Sequence, residues 1–177
     1  MLSASRCSDG LLLERRREAA KRGAVVSVTR AQIVAEARSF KGTPYQDKGR
    51  MKGRGLDCVG LPLMVAGALG LKDKDGKLIH GGLYTDYSSQ PLADYVHQLC
   101  MKHLVHRPVR EAKEGDVVSV AVATAPCHVG ILGRDDAGNL TLIHAFNSGK
   151  NIVIEQPIDE KWRRRLRAAF KFPEVTD

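Results

Sequence analysis

Apolar residues recur at helical spacing in the first half of the chain and alternate at strand spacing in the second. Thr29, Arg30, Ala31 and Gln32 fit a capping box, in which the Thr hydroxyl and the Gln side chain satisfy free N–H groups at a helix start. Ile33, Val34, Ala37 and Phe40 then follow at helical spacing as far as Gly42, which predicts an amphipathic first helix. Over 58–69 the residues Leu61, Met64, Val65, Ala68 and Leu69 form a broad apolar stripe. Pro62 lies early enough to be tolerated and Gly70 can end the helix, so this second helix should be mostly buried. Between the two, GTPYQDKGRMKGRGLD (42–57) reads as a loop whose glycines serve close backbone packing or positive φ angles. Residues 72–90 also read as loop, and 91–104 as a third helix with Leu92, Tyr95, Val96 and Leu99 on one side.

From Gly115 the period becomes strand-like in 116–122, 128–133, 139–145 and 151–158, separated by turn-prone Gly, Asp and Asn. These segments are expected to be neighbours in an antiparallel sheet, with 162–173 as a closing edge strand. Helices followed by a sheet make an α+β chain, N-terminal helices packed on a small antiparallel β-sheet, and no internal repeat is visible. Residues 1–27 lack periodicity and are expected to be a flexible extension before a single domain over 28–174.

Composition narrows the function classes. At 177 residues, 43% hydrophobic and 27% charged, the chain has enough apolar surface for one core, which excludes disorder of the whole. No run approaches the roughly 18 uninterrupted apolar residues of a membrane helix. The three-leucine patch near the N-terminus is followed by an arginine cluster, where a secretory signal puts basic residues first and then roughly 7–15 apolar ones, so no export by that route is expected. Cys7, Cys58, Cys100 and Cys127 lie far apart with no CxxC pair, which argues against a disulfide framework or a zinc ribbon. The net charge of +8 favours a polyanionic partner, nucleic acid, anionic lipid or acidic wall polymer. Much of the excess sits in 14–22 and 161–167, most simply solvated faces, and an aromatic content of 5% is poor for base stacking.

Cys58 stands where the Gly-rich loop turns into the second helix. A thiol at a helix N-terminus is shifted toward the thiolate, and the N–H groups there could stabilise the oxyanion of an attacked carbonyl. Position alone leaves open a small buried core residue. The histidines downstream tip the balance. Closing the hairpin symmetrically over Arg134-Asp135-Asp136-Ala137-Gly138 sets Gly133 opposite Asn139 and His128 opposite His144, provided no bulge intervenes. Two imidazoles on one face suit a base and the group that orients it. Taken singly, His128 reads as a strand-end residue and His144 as a core histidine beside Leu140 and Leu142.

The run GTPYQDKGRMKGRGLDCVGL, followed in order by GDVVSVAV, HVGIL and LIHAF, resembles the NlpC-type cell-wall peptidases, a branch of the papain-like cysteine peptidase fold. The resemblance covers about 30–172. It implies Cys58 as nucleophile, His128 as base and His144 as orienting residue, with Tyr45 lining the site near the thiol and Asp57 matching the acidic residue before it. It also implies hydrolysis of peptidoglycan stem peptides, often between D-glutamate and the diamino acid, through a thioester acyl-enzyme, with no metal and no cofactor. Val59 stands where the family often has Ser. The arrangement most resembles bacteriophage and prophage tail-associated peptidases, which travel in a virion and could have tail proteins as partners. A CHAP-like amidase and a non-catalytic tail protein are the alternatives. A metal site of Cys58, Cys127, His128 and His144 matches no common zinc spacing and would cost the nucleophile. His97, His103 and His106 read as surface residues, Cys100 as core filler and Cys7 as a tail thiol.

Overall fold

A computed structural model of the chain describes residues 27–82, 94–122, 125–147 and 149–176, the side chains of 125–127 excepted. The expected extension, apart from Ser27, lies outside these residues, as do Cys7, the start of the third helix with Leu92, and the Cys127 side chain. No described helix is long and apolar enough to cross a membrane.

The first helix, α1 (Arg30–Arg38), begins with the capping box: Gln32 N–H donates to Thr29 Oγ1 at 3.2 Å and Thr29 N–H to Gln32 Oε1 at 3.0 Å. The basic loop then folds back on itself as a small hairpin of β1 (Arg50–Met51) and β2 (Gly55–Leu56). Gly49 is there for space, since a Cβ on it would lie 2.5 Å from the Gly55 carbonyl oxygen, and Gly53 for its positive φ of +73°. The second helix, α2 (Gly60–Leu69), starts two residues later than the apolar stripe suggested and ends at Gly70 in the left-handed conformation. Leu61, Leu63, Val65, Ala66 and Leu69 are all buried, so it is a core helix with no single apolar face. The third helix, α3 (Tyr95–His103), buries Val96 and Cys100.

A six-stranded sheet follows from β3 (Val105–Arg107), β4 (Val117–Val122), β5 (Ala125–Arg134), β6 (Leu140–Ala145), β7 (Val153–Pro157) and β8 (Leu166–Lys171). Its order is β3-β8-β4-β5-β6-β7, and every pairing is antiparallel. The last strand is therefore interior rather than an edge: β8 lies between β4 and the short β3, and its residues Ala168, Ala169 and Phe170 are buried in succession. A short helix, α4 (Glu160–Arg163), capped by Asp159, precedes it. The α+β architecture expected of the chain is present, with α1–α3 on one face of the sheet. There Ile33, Ala37, Leu61, Val65 and Val96 share a core with Val117, Val129, Ile131, Ile143 and Phe170. On the other face Val118, Val120, Leu132, Leu142 and Ala169 are covered by Ile158, Trp162 and Leu166. Arg30 fastens α1 to the sheet through the fully buried Asp116 at 2.6 Å, which gives the Asp of the GDVV run a structural role.

Candidate active site

The β5–β6 hairpin corrects the register inferred from the sequence. Asp135 N–H donates to the Asn139 carbonyl and Gly138 takes φ +82°, so the loop is the three residues Asp136-Ala137-Gly138 rather than five. Arg134 pairs with Leu140, Gly133 with Thr141 and Ile131 with Ile143. Carried inward, this register sets His144 against Gly130 and leaves His128 one step along the diagonal. A slip of two residues preserves which face a side chain occupies, where a slip of one would have reversed it. The two imidazoles still meet, His128 Nε2 to His144 Nδ1 at 2.8 Å, with ring centroids 5.0 Å apart. Gly130 makes the diagonal possible, because a Cβ there would stand 2.7 Å from Leu142 Cδ1 and 3.0 Å from His144 Cβ.

The pair is dry. His144 is 0% exposed and His128 5%. Phe146 stacks on His144 at 5.4 Å and Trp162 meets it edge-on at 5.1 Å. Burial lowers the His128 pKa to about 3, with the neighbouring ring adding to the effect. Burial also lowers His144 to about 4, against the influence of Gln156, which favours its protonated form. Both rings are therefore neutral at pH 7, and a neutral ring keeps a lone pair for a proton. Phe146, Gln156 and Trp162 also line a cleft of about 490 Å³ with Lys150 and Asn151.

His128 is the last regular partner of β4, opposite Val120, before the register shifts between Val120 and Val122. Such bulges re-aim side chains at the rim of a sheet. Across the core, Cys58 is half-buried in the turn that leads into α2 and packs against the apolar cluster with Tyr45. Val59 and Val129, the residues that follow Cys58 and His128, line one small apolar cavity with Cys100.

Asp57 organises that turn. Its Oδ1 accepts from Gly60 N–H at 2.6 Å and from Arg50 at 2.7 Å, and its Oδ2 from Lys48 N–H at 2.8 Å. The carboxylate thus caps α2 from three residues upstream and draws the basic loop against it. Tyr45 runs beside Leu56 and bonds through its N–H to the Asn151 carbonyl at 2.6 Å, tying the thiol loop to the segment before β7. Burial, with the charges of Cys58, Asp57 and Asp47, pushes its hydroxyl pKa up to about 12.

Several side chains have roles that the sequence did not disclose. Trp162 and Phe146 wall in the histidines, and Gln156 lies against His144. His97 is not a simple surface residue, since its Nδ1 lies 3.0 Å from Ser119 Oγ. His103 pairs with the buried Asp73 at 2.9 Å, whereas His106 is exposed as expected. Cys100 is core filler, its thiol pKa raised by burial to about 12. Among the described residues no group of His, Cys, Asp and Glu is arranged to hold a metal ion.

No protein-family model matches this chain, and no curated protein does. Solved structures are similar to it. The NlpC/p60 domain of the peptidoglycan hydrolase SagA is 24% identical, with 81% of this chain and 99% of that one covered and a TM-score of 0.51. An NlpC/P60 family protein from Bacillus cereus ATCC 10987 is 17% identical, covers 84% of this chain and 42% of its own, and has a TM-score of 0.56. The P60 domain of an antigen from M. avium subspecies paratuberculosis is 16% identical, covers 82% and 94%, and has a TM-score of 0.50. The likeness is one of fold, and on it this chain has the α+β, papain-like fold of the NlpC/p60 domains.

Proposed function

We propose that the protein is a cysteine peptidase that hydrolyses peptidoglycan stem peptides, with Cys58 as nucleophile, His128 as base and His144 as the residue that orients it. The observation that carries the reading is the 2.8 Å bond between two buried, neutral imidazoles on the strands that follow the thiol-bearing turn. Because Nε2 of His128 is engaged by His144, Nδ1 is the nitrogen that would receive the thiol proton. The Cys58 sulfur would then attack the scissile carbonyl, expel the amine with the proton returned by His128, and leave a thioester that water hydrolyses. The Gly60 N–H is committed to Asp57, so the oxyanion would be met by N–H groups ahead of it in the turn. Tyr45 would line the site beside the thiol, and Asp57 would act by holding the turn in shape.

The substrate class rests on the fold shared with the domain of SagA, a peptidoglycan hydrolase, and on the D-C-V-G, HVGIL and LIHAF motifs. The described basic run adds to it: Arg163, Arg164 and Arg167 are exposed near Trp162, where they suit an anionic wall. The bond between D-glutamate and the diamino acid is the expected one, and delivery in a phage tail is the expected route to the wall. The test is mass spectrometry of muropeptides incubated, under reducing conditions, with the wild-type protein and with Cys58→Ala. Fragments from wild type alone, at the masses of a cut stem peptide, are expected. Release of whole stem peptides from the sugar would make it an amidase, and no fragments from wild type would overturn the hydrolase reading.

A further inference from the structure

The histidine pair has two self-consistent arrangements of protons, and only one is chemically useful. If His144 carries its proton on Nε2, its Nδ1 accepts from His128 Nε2–H, and His128 Nδ1 holds a lone pair. If His144 carries the proton on Nδ1, it donates to His128 Nε2, and His128 must then be protonated on Nδ1, where it cannot take a proton from a thiol. The bond at 2.8 Å is compatible with both. What decides is the group that faces His144 Nε2.

That group comes from the neighbouring strand. In the β6–β7 pairing Leu142 stands opposite Gln156 and His144 opposite Ile154, so Gln156 shares the face of His144 one diagonal away, within reach of a long side chain. Gln156 lies against His144. Among the described residues, Nε2 of His144 and Nε2 of Gln156 are both buried with no hydrogen-bond partner. Phe146 stacks on the ring and Trp162 meets it edge-on, and neither offers an oxygen acceptor from its side chain. A buried ring N–H needs an acceptor, and the Gln156 carboxamide oxygen is the one the sheet brings to it.

We infer that Gln156 is a positioning residue whose carboxamide oxygen accepts from His144 Nε2–H and so sets the tautomers of both histidines, leaving Nδ1 of His128 as the proton acceptor. This rests on the proposed hydrolase reading for its consequence, but not for its geometry. In the step it serves, the Cys58 S–H bond breaks and an N–H bond forms at His128 Nδ1. The resulting imidazolium keeps its Nε2–H on His144, whose own Nε2–H stays on Gln156, so no further proton moves. The opposite amide orientation would present N–H to the ring and stabilise the idle arrangement.

The experiment is nitrogen-15 NMR of the histidine rings in the full chain at pH 7, for wild type, Gln156→Met and Gln156→Glu. Met keeps the length without an acceptor, and Glu keeps the acceptor without a donor. Wild type and Gln156→Glu are expected to show His144 and His128 protonated on Nε2 alone. Gln156→Met is expected to show averaged shifts of mixed tautomers and, on muropeptides, a kcat lower by at least about tenfold with KM unchanged. Protonation of Nδ1 in the wild-type rings, or an unchanged spectrum in Gln156→Met, would overturn the inference. Tautomers that respond as expected in a protein that cuts no muropeptide would leave it standing and remove the hydrolase reading instead.

Discussion

On the helix side of the sheet, Val129, Ile131, Ile143 and Val153 meet aliphatic side chains from α1–α3, while one residue along the same strands His128 and His144 meet Phe146 and Trp162. Both faces are buried, yet they are buried in different ways. The first removes apolar atoms from water and asks nothing further of its residues. The second removes two titratable rings, which costs free energy unless they are neutral and hydrogen-bonded to one another. Alternation along a strand lets one hairpin do both, since residues that differ by one position never share a face. The contrast shows why a fold can tolerate an expensive polar pair: the opposite face supplies the stability.

Replacing that pair should separate the two contributions most sharply. The double variant His128→Leu/His144→Leu exchanges two bonded polar rings for aliphatic groups and is expected to fold with an unchanged or higher Tm. Its turnover of peptidoglycan should fall by about 10²–10⁴-fold, the usual contribution of a base. Parallel calorimetry and muropeptide assays would show it, and a Tm collapse matching the loss of activity would mean the pair is structural. The converse change is Ile131→Ala, on the helix face. It is expected to cost about 2–5 kcal/mol of stability in a denaturant titration, with kcat per folded molecule preserved.

A smaller effect is the pH dependence of stability. In the unfolded chain the two histidines titrate near the ordinary value of 6.5, whereas in the folded chain they resist protonation down to about 3 and about 4. The unfolded state thus binds more protons in that interval, and stability should fall as pH drops from about 6.5 toward 4 and be fully present above it. Glu155 adds its own loss below 4.5: burial raises its pKa, but Arg38 and Thr141 outweigh burial and hold it at about 2. Thermal melts from pH 8 to pH 4 should show the slope in wild type and a shallower one in the double leucine variant.

Much of this was legible in the sequence, for identifiable reasons. The capping box at Thr29, the Gly70 stop and the four consecutive strands are local signals, and local signals survive folding. The meeting of His128 and His144 was legible because face depends only on parity, although the register was wrong by two for want of the three-residue turn closed by Gly138. The place of β8 was misread as an edge, yet Ala168-Ala169-Phe170 is an unbroken apolar run of the kind buried on both faces. Gln156 and Trp162 were out of reach, because nothing local distinguishes a glutamine on β7 or a tryptophan on a one-turn helix until the sheet order brings them onto His144.

The central claim is that the polar face serves the thiol across the rim of the sheet, and the reactivity of Cys58 reads this directly. The measurement is the pH profile of Cys58 alkylation by iodoacetamide, followed by peptide mapping, in wild type and in His128→Ala. The account predicts that Cys58 of the wild type is alkylated faster than Cys58 of His128→Ala throughout the range in which His128 is neutral, because the ring takes the thiol proton as the sulfur reacts. Superimposable profiles from the two proteins would contradict it, since the histidine pair would then be buried for its own sake.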